Sequence, residues 1–341
     1  MCDSQIDIII LIVLNCPHNR GSLFLLLGAM HHICLIFLKN TVEIEEILEP
    51  KTMTSQILEN YILEPATFKL DGGAMYGIIP KPLWSKNHPA DEFNRIKLAL
   101  RLWLIKTSDK LILIDTGIGD YHGEKFDKRF DVKGGESPLI QALAEVGFKR
   151  DDLTDLVISH LHFDHVGGIG EAKDGQENLT PIFPKARCHV HKEHYTYAHN
   201  STERDKGSFH THLFDSVLDY YKDKNLLHFY SGEEGELFAL DDNNTLKFKC
   251  SHGHTPWLMH PYTSEYIYLS DIIPTSHHLS IPWVMGYDIN PGVTTENKKE
   301  FFEFIEKNNL KVIYEHDPQY WGSDLKENIH FDMENKLAYK I

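Results

Sequence analysis

Cysteine is scarce. Of the five in this 341-residue chain, Cys2, Cys16 and Cys34 fall in the first forty positions, which leaves Cys188 and Cys250 for the rest. That pattern excludes a disulfide framework. No Cys-x-x-Cys pair exists, so there is no thiolate zinc knuckle, and a metal held here is held by nitrogen and oxygen. A reducing, cytoplasmic setting is expected. Positive charge is in deficit as well: 34 Lys and Arg stand against 50 Asp and Glu, a net charge of −16. Such a chain repels polyanions, and no basic, aromatic-interleaved stretch offsets this, so nucleic acid is not an expected partner. The sequence also lacks short-period repeats, low-complexity linkers and a glycine-rich phosphate loop.

Long apolar runs are missing too. Positions 6–38 are strongly apolar, but Asn15, His18, Asn19, Arg20 and His31 interrupt them. No block reaches the roughly 18 apolar residues of a spanning helix. Asp3 and Asp7 occupy the place where a secretory signal carries positive charge. Residues 1–52 are therefore read as an apolar extension that the fold does not need, with translation starting at Met53 or Met30, and 53–341 as a single domain. Membrane association is not expected; a homo-oligomer is compatible with this reading.

Histidine is what the chain has in excess, 22 residues in all. Histidine serves as ligand, proton shuttle or ordinary surface residue, so spacing decides. Ile96 to Lys106 and Lys110 to Asp115 read as a strand hairpin ending in Asp115-Thr116-Gly117. Ser137-Pro138 with Leu139, Ile140, Leu143 and Val146 before Gly147 reads as a short amphipathic helix with Ser137 as its cap. Leu153 to Ser159 then forms an apolar strand that delivers the chain into His160. Ala186 to His191, Leu246 to Ser251, Tyr266 to Leu269 and Lys311 to Tyr314 read as further strands. Thr294 or Thr295 caps a helix running through Asn308. Helix, buried strand, then polar residues at the strand's carboxyl end is α/β (α+β) logic.

His160-Leu161-His162-Phe163-Asp164-His165 carries the chemistry. Two histidines one residue apart at a strand end point the same way and can chelate one ion, while Asp164 and His165, just beyond, can turn to a second. Gly167-Gly168 lets the backbone approach closely. The string matches the His-x-His-x-Asp-His signature of the metallo-β-lactamase fold superfamily. Gly253-His254-Thr255-Pro256, Ser270-Asp271 and Glu315-His316-Asp317 follow in the order of that family's later motifs, each after a strand-like run. The chain therefore resembles this superfamily from about Leu63 to Pro318, which implies a four-layer αββα sandwich.

On that resemblance His160, His162 and His254 hold one ion, and Asp164, His165 and His316 the other. Asp271 bridges them, and Asp115 orients a ligand from behind. His252 and His254 form a second His-x-His pair, so His252 is an alternative third ligand, although the Gly-His-Thr-Pro context favours His254. The remaining histidines outside these motifs, among them His31, His32, His189, His191, His194, His199, His210, His212, His260, His277 and His278, match no ligand motif, and most of them are read as surface or loop residues.

Nitrogen and oxygen ligands suit two zinc ions; iron and manganese are also accepted by such a set. A shared hydroxide would then attack a small-molecule ester, lactone or organophosphate, with Asp164 and Asp271 as the working carboxylates. The segment Pro282 to Asp288 resembles the branch of N-acyl homoserine lactonases and methyl parathion hydrolase. One departure stands out: the lactonases carry a tyrosine shortly after the bridging aspartate, whereas Ile272-Ile273-Pro274-Thr275 stands here. Trp283, Trp84 and Tyr287 are candidates to line the substrate pocket. The competing readings are a glyoxalase II-like thioesterase and an iron-dependent redox protein of the same fold.

Overall fold

The computed structural model describes residues 58–173, 178–242 and 244–341. The apolar extension assigned to 1–52, with His31 and His32, lies outside them. Two seven-stranded mixed sheets dominate. The first is ordered Ala338–Lys340, Glu59–Asp71, Arg95–Lys106, Leu111–Ile114, Asp155–Val157, Arg187–His191, Leu227–Tyr230, and the second Ile329–Asp332, Tyr320–Asp324, Lys311–Ile313, Tyr266–Tyr268, Leu258–Tyr262, Thr245–Ser251, Glu234–Ala239.

Side chains alternate across a strand, and the central strands are apolar on both faces because both are covered. Ile62, Trp103, Ile105, Ile112, Ile114 and Val157 point inward to meet Leu246, Phe248, Met259, Tyr268 and Ile313 of the second sheet. Their neighbours Leu63, Leu102, Leu104, Leu113 and Leu156 point outward, against Leu139 and Leu143 of the helix Pro138–Glu145 and Phe214, Val217 and Leu218 of Thr211–Asp223. Phe301 and Ile305 of the helix Pro291–Asn308 cover Ile267 and Val312 on the far side of the second sheet. This is the αββα layering. Among the described residues no helix is long and apolar enough to cross a membrane.

Of the two expected caps, Ser137 holds its position without capping through its side chain, and the other falls elsewhere. Ser137 makes no side-chain cap bond; it sits at φ 46°, and its N–H donates to Asp120 Oδ2 at 2.7 Å. The last long helix begins at least four residues earlier than expected: Asn290 caps it by accepting from Val293 N–H, and Pro291 takes the first turn. Thr294 is thereby released, and its hydroxyl donates to Asp288 at 2.9 Å. From the same helix, the fully buried Lys298 ammonium donates to the carbonyls of Ser280 (2.6 Å), Ile281 (3.3 Å) and Trp283 (3.0 Å). Three donors meet three acceptors, which pins the loop that carries Trp283. Burial pushes the Lys298 pKa down to about 7.

Five strands end at the same rim: Leu111–Ile114, Asp155–Val157, Thr245–Ser251, Tyr266–Tyr268 and Lys311–Ile313 are each followed within a few residues by a motif residue. Parallel pairing of 111–114 with 155–157, and of 266–268 with 311–313, places four of these carboxyl ends side by side in two sheets.

Candidate metal centre

Asp271 lies at the middle of the cluster. Its Oδ2 is 3.1 Å from His254 Nε2, 3.5 Å from His165 Nε2 and 3.9 Å from His160 Nε2, while its Oδ1 is 3.2 Å from His316 Nε2. His254 Nε2 also faces His162 Nδ1 at 3.1 Å. Asp164 lies 3.7 Å from His316 Nε2 and 3.9 Å from His165 Nε2. All seven motif residues are therefore brought to one place, each 6% exposed or less. His252 turns away: its Nε2 pairs with Glu233 Oε2 at 2.8 Å near the surface.

Whether these residues suit metal can be judged from what is left unpaired. The Nε2 atoms of His160, His162, His165 and His316, together with Asp271 Oδ1, are buried without a hydrogen-bond partner, a costly arrangement unless a cation completes it. Four of the rings are fixed from behind. His160 Nδ1 meets Ser159 Oγ at 3.1 Å, His254 Nδ1 meets Asp288 Oδ1 at 3.1 Å, His316 Nδ1 donates to the Ala99 carbonyl at 2.8 Å, and His165 Nδ1 meets Asp115 Oδ2 at 3.1 Å. Backing of this kind orients ligating histidines and sets their tautomer. Bond lengths of roughly 2.0–2.1 Å give a tetrahedral edge of about 3.3 Å, within the range of the spacings around Asp271. Two groups of ligand atoms close to within 4.8 Å: His160, His162, His254 and Asp271, and His165, Asp271, Glu315 and His316.

Glu315 in the second group was not anticipated. Its Oε2 lies 2.8 Å from His165 Nδ1, on the opposite side of that ring from the unpaired Nε2. Asp164, by contrast, faces Nε2. Glu315 thus backs His165 alongside Asp115, and burial pushes its pKa up to about 7 against the pull of His165 and His316.

Burial and the neighbouring imidazoles hold His160 and His162 well below the ordinary histidine range. His254 and His316 go the other way. Burial opposes their charge, but Asp271, with Asp288 at His254 and Glu315 at His316, pushes each up to about 9. Burial likewise opposes a charged Asp271, and His254 and His316 overcome it to hold the carboxyl well below its usual value. A field that keeps protons on buried imidazoles is one that favours a divalent cation in their place.

The loops are shaped for this closeness. Asp115, at φ 60°, accepts from Ser159 N–H and Oγ–H, both at 2.6 Å, while the N–H and hydroxyl of Thr116 donate to the His165 carbonyl at 2.8 and 2.9 Å. A Cβ on Gly168 would strike the Thr116 carbonyl oxygen, and one on Gly253 would strike Thr294 at the start of the last helix. Exchanging Asp115 for asparagine keeps the shape but turns one acceptor into a donor facing a donor. The expected outcome is about 10–100-fold weaker metal binding, measured by chelator competition.

Several sequence readings are corrected. Trp84 lines no pocket: it is 2% exposed, stacked 5.3 Å from Tyr76 in the core. His189, His191, His194, His260 and His278 are buried rather than superficial, each with a partner such as Asp155 for His189 and the Met75 carbonyl for His278. Trp283 is half-buried, edge-on to Tyr76, and Tyr287 is 37% exposed. The sequence reading missed an aromatic group next to Asp164: Phe163 stacks on His210 at 5.2 Å and meets Phe126 at 5.8 Å and Phe130 at 5.4 Å. Two phenylalanines four apart before the motif were its only signal.

Comparison with known proteins bears on the family and the fold. A family model described as the metallo-beta-lactamase superfamily matches residues 102–316. An N-acyl homoserine lactonase of Bacillus cereus is 34% identical over 86 residues, 23% of this chain and 34% of that enzyme. The N-acyl homoserine lactonase AttM of Agrobacterium fabrum is 23% identical over 77% of this chain and 94% of its own length. Among solved structures, a probable metal-dependent hydrolase from Staphylococcus aureus superposes with a TM-score of 0.70 at 27% identity, covering 82% of this chain and 98% of that one. The dizinc quorum-quenching lactonase AidC, solved with a product, gives 0.58 at 22% identity over 84% and 94%, a likeness of fold.

Proposed function

The chain belongs to the metallo-beta-lactamase superfamily, and from that premise we propose that it is a two-ion hydrolase that opens lactones and related esters bearing an apolar acyl group. The single observation that carries the two-ion reading is Asp271, which both ligand groups share: it lies against His254 and His160 of one and against His165 and His316 of the other. In this reading His160, His162 and His254 hold the first ion, Asp164, His165 and His316 the second, and Asp271 both; zinc suits the set best. When bound, the ions supply Lewis acidity and lower the pKa of water to about 7.

The chain's own residues do the rest. Asp115 and Glu315 hold the His165 ring, and Asp288 holds that of His254. Asp164, beside Phe163, can carry a proton to the departing alkoxide. Phe126, Phe130 and Phe163 offer a half-buried apolar surface for an acyl chain. No hydroxyl follows Asp271 at the next three positions, and Ile272 and Ile273 are buried. Tyr287 can take that place. Burial, with Asp71 and Asp164 adding to it, pushes its phenol up to about 12, so it remains a donor at neutral pH.

Water is added across the ester C–O bond, giving a carboxylic acid and an alcohol. The test is turnover by purified protein of N-acyl lactones of graded chain length, aryl esters, thioesters and phosphotriesters. Lactone turnover that rises with acyl length supports the reading. Turnover of phosphotriesters alone, or of thioesters alone, overturns the substrate class while leaving the two-ion centre standing.

A further inference from the structure

Outside the ligands and the groups that back them, one buried side chain touches both loops of the first ion's site. His194 lies on the short helix Lys192–Ala198 and is 1% exposed. Its Nε2 accepts from Leu161 N–H at 2.8 Å, and its Nδ1 donates to the Pro256 carbonyl at 2.7 Å. Leu161 is the residue between His160 and His162, and Pro256 lies two residues beyond His254. We propose that His194 is a positioning residue, a neutral imidazole clamp that holds together the loops delivering His160, His162 and His254 before any ion arrives. The inference rests on the two-ion reading above.

Chemistry fixes the ring's state. An amide can only donate, so Nε2 must be bare and the proton must sit on Nδ1, where a carbonyl receives it. A second proton would set N–H against N–H. Burial works in the same direction, pushing the His194 pKa down to about 4. A lysine or a hydroxyl in this place could not serve as well, since the site demands one acceptor and one donor at opposite ends of a rigid plane.

The clamp has a purpose in the metal-free protein. His254 Nε2 and His162 Nδ1 share a hydrogen bond of 3.1 Å in the metal-free protein, and an ion must replace it while both loops stay in register, which costs ordering if the loops are free. Ordering the loops beforehand removes that cost from metal binding. The other side of the centre is latched independently: Thr116 holds the His165 carbonyl, and His316 N–H donates to the Pro274 carbonyl at 2.9 Å. Loss of His194 should therefore weaken one ion and spare the other, an asymmetry that mere loss of packing would not give.

The experiment is a stepwise Co2+ titration of chelator-stripped wild type, His194→Phe and His194→Gln, followed by the visible spectrum. Phenylalanine keeps the bulk without either bond, whereas glutamine can restore both. His194→Phe is expected to weaken one uptake step about 10–100-fold, with the other step unchanged and glutamine recovering most of the loss. Equal affinities in wild type and His194→Phe, or equal weakening of both steps, would overturn the clamp. Two measurements on wild type decide the matter should His194→Phe not fold: hydrogen exchange at Leu161 in the metal-free protein, and the His194 tautomer by 15N NMR. Slow exchange with the proton on Nδ1 supports the clamp, and fast exchange or a proton on Nε2 overturns it. Wild type that takes up a single ion would instead sink the two-ion reading, and the Leu161 exchange rate would still pass or fail the clamp.

Discussion

Asp271→Ala is expected to abolish uptake of both ions together and to lower kcat/KM by about 10³-fold or more, since losing roughly 4 kcal/mol of transition-state stabilisation costs that factor. The reason is position. Its carboxylate stands between the histidines of the two sites, at 3.1 Å from His254 Nε2 and 3.2 Å from His316 Nε2. It also exerts the strongest pull among the groups that raise both of those histidines against burial. With the carboxylate gone, five buried imidazoles surround a space with no bridging charge. His162→Ala should be milder, removing a ligand of the first ion and leaving His165, Asp164 and His316 in place. Elemental analysis and steady-state kinetics on the two variants separate these outcomes. An Asp271→Ala protein that kept two ions would show that the bridge is assigned to the wrong residue.

Arg101→Met is expected to have the largest effect on stability, a loss of about 3–5 kcal/mol from breaking a buried pair, which is roughly 10 °C in Tm for a domain of this size. Arg101 has no exposed surface. Its Nε pairs with Glu64 Oε1 at 2.8 Å, Nη1 donates to the Tyr314 carbonyl at 2.7 Å, and Nη2 donates to the Asp317 carbonyl at 2.8 Å. Methionine fills the volume but leaves a buried carboxylate and two carbonyls without their partner. The same segment carries His316, and Arg101 and Ala99 N–H groups bond to Glu315 and His316 carbonyls at 3.1 Å. The damage should therefore reach the metal centre, with the second ion released more readily. Removing both charges in Arg101→Met/Glu64→Leu should recover part of the loss. Thermal unfolding of the single and double variants checks both statements.

What could be read from the residues alone was what is local. The hexapeptide from His160 to His165 follows a three-residue buried strand, and short continuous apolar runs announce most of the central strands, so the rim of strand ends and its motif residues were legible in order. The groups that hold those residues in place were not. Asp288 reaches His254 across 34 positions, Glu315 reaches His165 across 150, and His194 reaches Leu161 across 33. Nothing at a single position announces such a pairing. A local rule failed where a distant partner competed: Asp288 takes the hydroxyl of Thr294, and Asn290 caps the helix instead. Trp84 reads as a pocket residue only until Tyr76 is seen against its face. The abundance of histidine itself misled, since several of the buried ones serve as neutral donor and acceptor pairs within the fold.

The most direct measurement is metal content per chain by elemental analysis of protein purified without added metal and again after zinc loading, with His162→Ala and Asp271→Ala alongside. Two ions per wild-type chain, fewer in His162→Ala and none in Asp271→Ala, is the expected result. One ion in wild type, or two retained by Asp271→Ala, would contradict a centre built around that bridging carboxylate.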